Sequence, residues 1–182
     1  MSGEQHANAA PAAQLENFMT SDDSSMTGDA SDGTADDGGT ARKPAIAFTD
    51  FDLPDALQAT LSREGLIEPT PIQQMSIPVL LSGEDLIGLA QTGTGKTAAF
   101  LLPMLTTLSY APAVRSGQPP KALVLAPTRE LANQISTNLR RLARDMNIRH
   151  ITVFGGARYD TQIKGLRRGV DVVVATPGRL ID

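Results

Sequence analysis

Ala90-Gln91-Thr92-Gly93-Thr94-Gly95-Lys96-Thr97 is the stretch on which the reading of the fold turns. It follows the pattern (A/G)-x4-G-K-T, with Ala90 where glycine is the commoner first residue. The apolar segment Asp85 to Leu89 ahead of it predicts a short buried strand, and Ala98 to Leu108 behind it predicts a helix. Strand, glycine loop and helix together are the setting in which this pattern cradles phosphate. Gly93 and Gly95 let the backbone curl so that successive N–H groups point inward at phosphate oxygens. The helix N-terminus adds its partial positive charge at the same spot. Lys96 has the length to reach β- and γ-phosphates, and the Thr97 hydroxyl is a ligand for a nucleotide-borne Mg²⁺. These two are the candidate catalytic residues, and Thr97 is the candidate metal contact.

The 182 residues allow one domain with a tail. Their net charge of −4 is unevenly spread. Residues 1–44 hold eight acidic and two basic side chains, a balance of −6, whereas residues 45–182 hold fourteen basic and twelve acidic, a balance of +2. The part able to fold is therefore mildly basic, which leaves a nucleic-acid partner open. Absence of cysteine excludes a disulfide partner, a zinc-thiolate site and a thiol nucleophile, and it fits a cytoplasmic location. The N-terminus lacks the basic flank and apolar core of a secretory signal. No apolar run approaches the roughly 20 residues that span a bilayer, so no membrane partner is expected.

Residues 1–44 are rich in Ala, Ser, Asp, Gly and Thr, with pairs such as Asp22-Asp23 and Asp36-Asp37. Too little apolar surface is present to offset chain entropy, and a disordered acidic tail is predicted. It reads as a solvated extension rather than as a segment tuning RNA affinity. The domain opens near Ala45. Asp52 is placed to cap a helix with Pro54 in its first turn, Leu53, Leu57 and Leu61 on one face, and Gly65 at its end. Thr70 is placed to cap a second helix with Pro71 in the first turn. Pro78 is expected to kink that helix or confine it to its first half, and Ser82-Gly83 to end it.

Phe48, Gly65 and Pro69-Thr70-Pro71-Ile72-Gln73, followed by Ala90 to Thr97, resemble a DEAD-box RNA helicase. The upstream residues are similar to that family's Q motif. The resemblance implies that Gln73 reads the adenine edge and that Phe48 packs on the base. The chemistry is independently sensible, because an amide offers a donor and an acceptor that suit adenine and reject guanine. Leu66 departs from the aromatic often found after the glycine. With Phe48 and Gln73 joined to Ala90, Gln91, Thr92, Gly93, Thr94, Gly95, Lys96 and Thr97, the implied ATP contacts are complete.

Ala111 to Pro120 reads as a loop, and Lys121 to Ala126 as a buried parallel-type strand. Pro127-Thr128-Arg129 follows, with Thr128 capping a helix to about Asp145. His150 to Phe154 is the next strand, with Gly155-Gly156 after it. Asp171 to Ala175 is another, followed by Thr176-Pro177-Gly178-Arg179. The resemblance implies that these three strand-end groups contact RNA: Pro127, Thr128 and Arg129; Gly155 and Gly156; Thr176, Pro177, Gly178 and Arg179. Helix starts at strand ends present N–H groups to phosphates, which gives this a physical basis. Arg140, Arg141 and Arg144 read as a solvated helix face, and His150 as a residue without a catalytic task.

The fold expected is α/β, a RecA-like P-loop domain with a mainly parallel sheet. The tail is residues 1–44, and residues 45–182 form an N-terminal RecA-like helicase ATP-binding domain that is incomplete at its C-terminal side. The family's Asp-Glu-Ala-Asp and Ser-Ala-Thr motifs and its second RecA-like domain do not occur within the 182 residues. Neither Asp171 nor Asp182 replaces the paired carboxylates. The implied function is an ATP-dependent RNA helicase in the intact protein, using ATP and Mg²⁺ and gripping RNA through its backbone without regard to sequence. The alternative is a non-catalytic nucleotide- or RNA-binding module. The 182-residue chain alone is expected not to hydrolyse ATP, since lacking an arginine finger by itself lowers the rate about 10³–10⁵-fold. Its phosphate-loop strand would also have an unpaired apolar edge. Marginal folding or aggregation of the isolated chain is the expected outcome, and cooperative thermal unfolding of a purified monomer would overturn it.

Overall fold

The computed structural model describes residues 46–181, and the expected disordered acidic stretch 1–44 lies outside the described residues. Three short strands form a parallel sheet: β1 (Ala122–Leu125), β2 (His150–Val153) and β3 (Val172–Ala175). Their order is β1-β3-β2, so the last strand in sequence is the central one. Ala122, Val172 and His150 lie abreast at one end, and Leu125, Ala175 and Val153 at the other. Parallel strands need crossovers longer than a hairpin. These are supplied by α4 (Arg129–Leu142), which leads from β1 to β2, and α5 (Tyr159–Arg167), which leads from β2 to β3. The expected α/β architecture with a parallel sheet is the one observed.

Alternation along β3 builds two cores. Val172 and Val174 face the larger one, with Leu101, Leu105, Leu139 and Leu142. Val173 and Ala175 face a smaller one, with Val153, Val170 and the flanking Ile151 and Leu166. The larger core is completed by α1 (Asp55–Arg63), α2 (Pro71–Leu81) and α3 (Lys96–Ser109). A final short helix, α6 (Pro177–Ile181), follows β3.

Four expectations are corrected. Asp85–Leu89 is not a strand, and it is exposed, with Ile87 at 88% and Leu89 at 91%. A strand exists only when another strand satisfies its backbone, and none of the described strands lies beside this segment. For the same reason β1 is covered on one side only, its Leu123 and Leu125 being 52% and 54% exposed. α1 starts at Asp55, not behind an Asp52 cap. Leu53 N–H still turns back to the Phe51 carbonyl at 2.8 Å, and the Leu57 and Gln58 N–H groups donate to Pro54. Leu53, Leu57 and Leu61 are nevertheless buried together. Of the two outcomes expected at Pro78, confinement of α2 to its first half does not occur: the helix continues to Leu81, and Ser82 N–H donates to the Pro78 carbonyl at 3.1 Å. Packing Ile77 and Leu81 on the core outweighs the one hydrogen bond that proline removes.

The C-terminal end of α1 follows its sequence signal. Beyond α1, Gly65 N–H donates to Ser62 and Leu66 N–H to Leu61, which together close the helix in a Schellman turn. His150 is half-buried against α4, its Nε2 2.9 Å from Ser136 Oγ. Burial, and then the charge of Arg140, push its imidazole below the ordinary value of 6.5.

Asp171 joins the three strand starts. Its carboxylate accepts from the backbone N–H groups of Val114 at 3.1 Å and Arg149 at 2.9 Å. Its carbonyl accepts from Lys121 and Ala122, and its own N–H donates to the Arg149 carbonyl. The side chain is therefore a staple rather than a metal ligand or base. Truncation to Asp171→Ala strands two backbone donors, and a loss of about 3 kcal/mol is expected. The urea midpoint should fall with the slope unchanged, and an unmoved midpoint would show that the staple carries no stability.

Candidate functional site

The residues singled out by sequence fall into two groups. The first surrounds the loop before α3. Gly95 takes φ +91° and its carbonyl accepts from Ala99 N–H, so the loop passes directly into the helix. Lys96, the first helical residue, curls back over its own loop: its Nζ donates to the Gln91 carbonyl at 2.8 Å and to that of Ala90. Thr94 Oγ1 donates to the same Gln91 carbonyl at 2.9 Å. Thr97 sits half-buried in the first turn of α3. Gln91, Thr92 and Gly93 are exposed at the rim.

α2 holds this loop from the side. Thr70 Oγ1 donates to the Thr94 carbonyl at 2.8 Å, and Gln73 Nε2 donates to the Gly95 carbonyl at 3.1 Å. Gln73 Oε1 in turn accepts from Thr70 N–H at 2.9 Å, as a capping-box residue does. The two residues thus start α2 and fix the loop with the same side chains. A primary amide has two donors and two acceptor sites, so these bonds leave one of each unused on Gln73, which is buried at 6% exposure. The family resemblance implies a base-reading role for Gln73; that its amide bonds to the loop before α3 was not legible in the sequence.

Phe48 is the residue the structure moves away from its expected role. It sits in a short 3-10 turn, 3% exposed, inside the larger core. Its ring meets Phe51 edge-on at 6.2 Å, and its carbonyl accepts from Gln58 Nε2 at 2.9 Å. A ring so enclosed has no free face for a base. Apolar burial claims it first, and Phe48 works as a core residue beneath α1.

The second group lies where the strands end. The Leu125–Ala175–Val153 register sets the three following segments side by side. Thr128 caps α4, its Oγ1 accepting from Leu131 N–H at 3.2 Å. Arg129 lies over the Phe154 ring, 5.2 Å from its centre. Gly156 leaves the room it needs: a Cβ there would lie 2.7 Å from Arg129 Nη1. Thr176 N–H donates to the Val153 carbonyl at 3.0 Å, and Arg179 lies over Tyr159 at 5.5 Å. Pro177 and Gly178 are exposed at the start of α6. Gly155 is half-buried beside Phe154. Gln162 went unassigned in the sequence, yet its buried amide both accepts from Phe154 N–H at 3.1 Å and donates to the Phe154 carbonyl at 3.2 Å. It serves the strand end as a further strand would. A polar residue on the inner face of α5 was its only signal.

Known proteins carry the same arrangement. Residues 70–182 match the DEAD/DEAH box helicase family, a span that starts at Thr70 and so leaves Phe48 out. The chain is 47% identical over 140 residues to DEAD-box ATP-dependent RNA helicase 30 of Arabidopsis thaliana, covering 77% of this chain and 24% of that protein. It is 49% identical over 139 residues to ATP-dependent RNA helicase RhlB of Xanthomonas axonopodis pv. citri, covering 75% of this chain and 24% of that one. It therefore spans about a quarter of the length of these relatives. Among solved structures, the RNA helicase Prp28 of Chaetomium thermophilum bound to ADP superposes with a TM-score of 0.69 at 43% identity, over 80% of this chain and 35% of that one. A DEAD box protein from the hyperthermophile Methanococcus jannaschii gives 0.66 at 34% identity, over 75% of this chain and 36% of that one.

The two loop glycines separate backbone strain from crowding. Both hold positive φ, at +84° for Gly93 and +91° for Gly95. A Cβ on Gly93 meets open space, whereas one on Gly95 lies 2.5 Å from Gln73 Nε2. Gly93→Ala should cost about 1–2 kcal/mol through the left-handed backbone alone. Gly95→Ala should cost visibly more in the same urea titration, because it also displaces the Gln73 amide. Equal losses would show that the Gln73 brace is not felt.

Proposed function

The chain belongs to the DEAD/DEAH box helicase family, and we propose from that premise that it acts in ATP-dependent remodelling of RNA duplexes. In this reading residues 45–182 are an incomplete N-terminal RecA-like ATP-binding domain, and the location is cytoplasmic. The reading is supported chiefly by the bonds from Thr70 and Gln73 to the carbonyls of Thr94 and Gly95, which hold an adenine-selective amide against a phosphate cradle.

The loop's chemistry suits the nucleotide. Gly95 admits no Cβ, Lys96 lies folded over the loop, and the axis of α3 starts there. A triphosphate would take its charge-assisted bonds from Lys96 and from the N–H groups of Thr94 to Thr97. Mg²⁺, held by the nucleotide, would be met by the Thr97 hydroxyl; bound there, it neutralises charge on the β- and γ-phosphates. The second donor and acceptor of Gln73 would read adenine once the buried amide is uncovered. At the strand ends, Thr128, Arg129, Gly155, Gly156, Thr176, Pro177, Gly178 and Arg179 would meet the RNA backbone, with Arg129 and Arg179 held in place by Phe154 and Tyr159.

Binding of fluorescent ATP and GTP analogues to the 182-residue chain is the test. ATP should be preferred. Lys96→Ala should weaken ATP binding by about 10- to 100-fold, the worth of one or two charge-assisted hydrogen bonds. Gln73→Ala should bring ATP and GTP together. A wild-type chain indifferent to the base would overturn the role given to Gln73.

A further inference from the structure

The amino ends of the strands carry a second surface that the nucleotide and strand-end groups do not use. Lys121, Asp171 and Arg149 stand abreast there, each one residue ahead of its strand. The preceding loop folds onto this end. Ser116 Oγ donates to the Arg167 carbonyl at 2.7 Å, and Gly117 N–H donates to it at 3.3 Å. The Arg115 backbone packs so closely on Gly169 that a Cβ there would lie 2.4 Å from the Arg115 carbonyl oxygen. Arg149 Nη1 donates to the Arg168 carbonyl at 3.5 Å, and Nη2 donates to the Val114 carbonyl. Arg115, Lys121, Arg149, Arg167 and Arg168 are thereby drawn onto one contiguous patch, and all five are exposed.

The carboxylate among them, Asp171, is 3% exposed and is engaged by two backbone donors. The ion pairs of the described residues, Arg63–Asp145 and Arg141–Glu64, lie elsewhere. Five of the fourteen cations of residues 45–182 are therefore gathered at one end of the sheet around a single buried carboxylate. A cluster that repels itself in this way is stabilised by a polyanion.

We propose that this patch is a second RNA contact, gripping the phosphate backbone at the end of the sheet opposite to the strand-end motifs. Four of the five cations are arginines, whose planar forks match phosphate oxygens. No exposed large apolar or aromatic side chain of the described residues falls in segments 114–121, 149 or 167–171. The surface therefore has no platform for base stacking and no wedge for a lipid bilayer. Contact with phosphate alone implies binding without sequence preference. Four residues of strand set the patch about 13 Å from the strand-end groups. RNA held there would be retained near the domain without occupying the first set of contacts. The inference rests on the RNA partner of the reading above.

Three of the arginines can be changed without touching the framework. Arg115, Arg167 and Arg168 support neighbours through backbone groups, whereas Arg149 uses its side chain and is left alone. The measurement is the binding of a 20-nucleotide single-stranded RNA to the 182-residue chain across a salt series. The triple variant Arg115→Gln, Arg167→Gln, Arg168→Gln should flatten the plot of log affinity against log salt by about 2, since each lost phosphate contact removes about 0.7. The triple lysine variant should keep the wild-type slope, and ATP-analogue binding should stay as in wild type. A wild-type slope in the glutamine variant overturns the proposal. So does a flattened slope that lysine fails to restore, because the arginines would then be acting through structure. Binding of anionic vesicles, with RNA binding unaffected by the substitutions, overturns it as well. Failure of the wild-type chain to bind RNA at any salt concentration would instead overturn the RNA partner itself, so the two failures are distinguishable.

Discussion

The backbone of four residues, Val172 to Ala175, holds the sheet together. β1 and β2 pair with this strand and not with each other, so removing it would leave two isolated strands. Its side chains are buried on both faces, which joins the two apolar clusters through a single segment. A central parallel strand of this kind can afford no polar residue within its span. The polar group needed to start it, Asp171, stands one position earlier, where two loops can saturate it with N–H groups. The same strand aligns the functional residues. Because the register is set from the centre, the segments that follow all three strands emerge at one level, and those that precede them emerge at the other.

Local rules were readable wherever the cause was local. The glycine pattern of 90–97, the Thr70 and Thr128 caps, the stop at Gly65 and the apolar run through 172–175 all depend on residues within a turn of one another, and the structure has them as the sequence suggested. Long-range causes were less legible. Nothing in Asp85–Leu89 distinguishes it from a buried strand, because strand formation depends on a neighbour. Phe48 looked like a base contact because aromatic rings serve cores and ligands equally well, and only the packing of α1 decides between them. Pro78 sits inside a helix because the core on its far side repays the missing bond.

The candidate site shows the same division. Lys96, Thr97 and Gln73 were identifiable from spacing, but not the bonds by which Thr70 and Gln73 grip the loop carbonyls. Thr128 and Arg129 were identifiable as a pair, but not the seat of Arg129 on Phe154, nor the Gln162 amide that holds Phe154 in place. These are contacts between residues 22 to 25 positions apart or across separate elements, which no periodicity encodes.

Lys96 gives the loop one more property. Its ammonium group is engaged with carbonyls of its own loop. An arriving phosphate would therefore compete with those carbonyls for two of the three ammonium donors, and the carbonyls released would need other donors. Binding at this site would be in part an exchange of partners, its strength depending on the difference between two sets of hydrogen bonds. Small anions such as sulfate, which offer one tetrahedron and nothing else, gain little from such an exchange. A chain of phosphates with a base at its end gains at several points at once. Discrimination in favour of a whole nucleotide can thus begin with the state of the lysine before any ligand arrives.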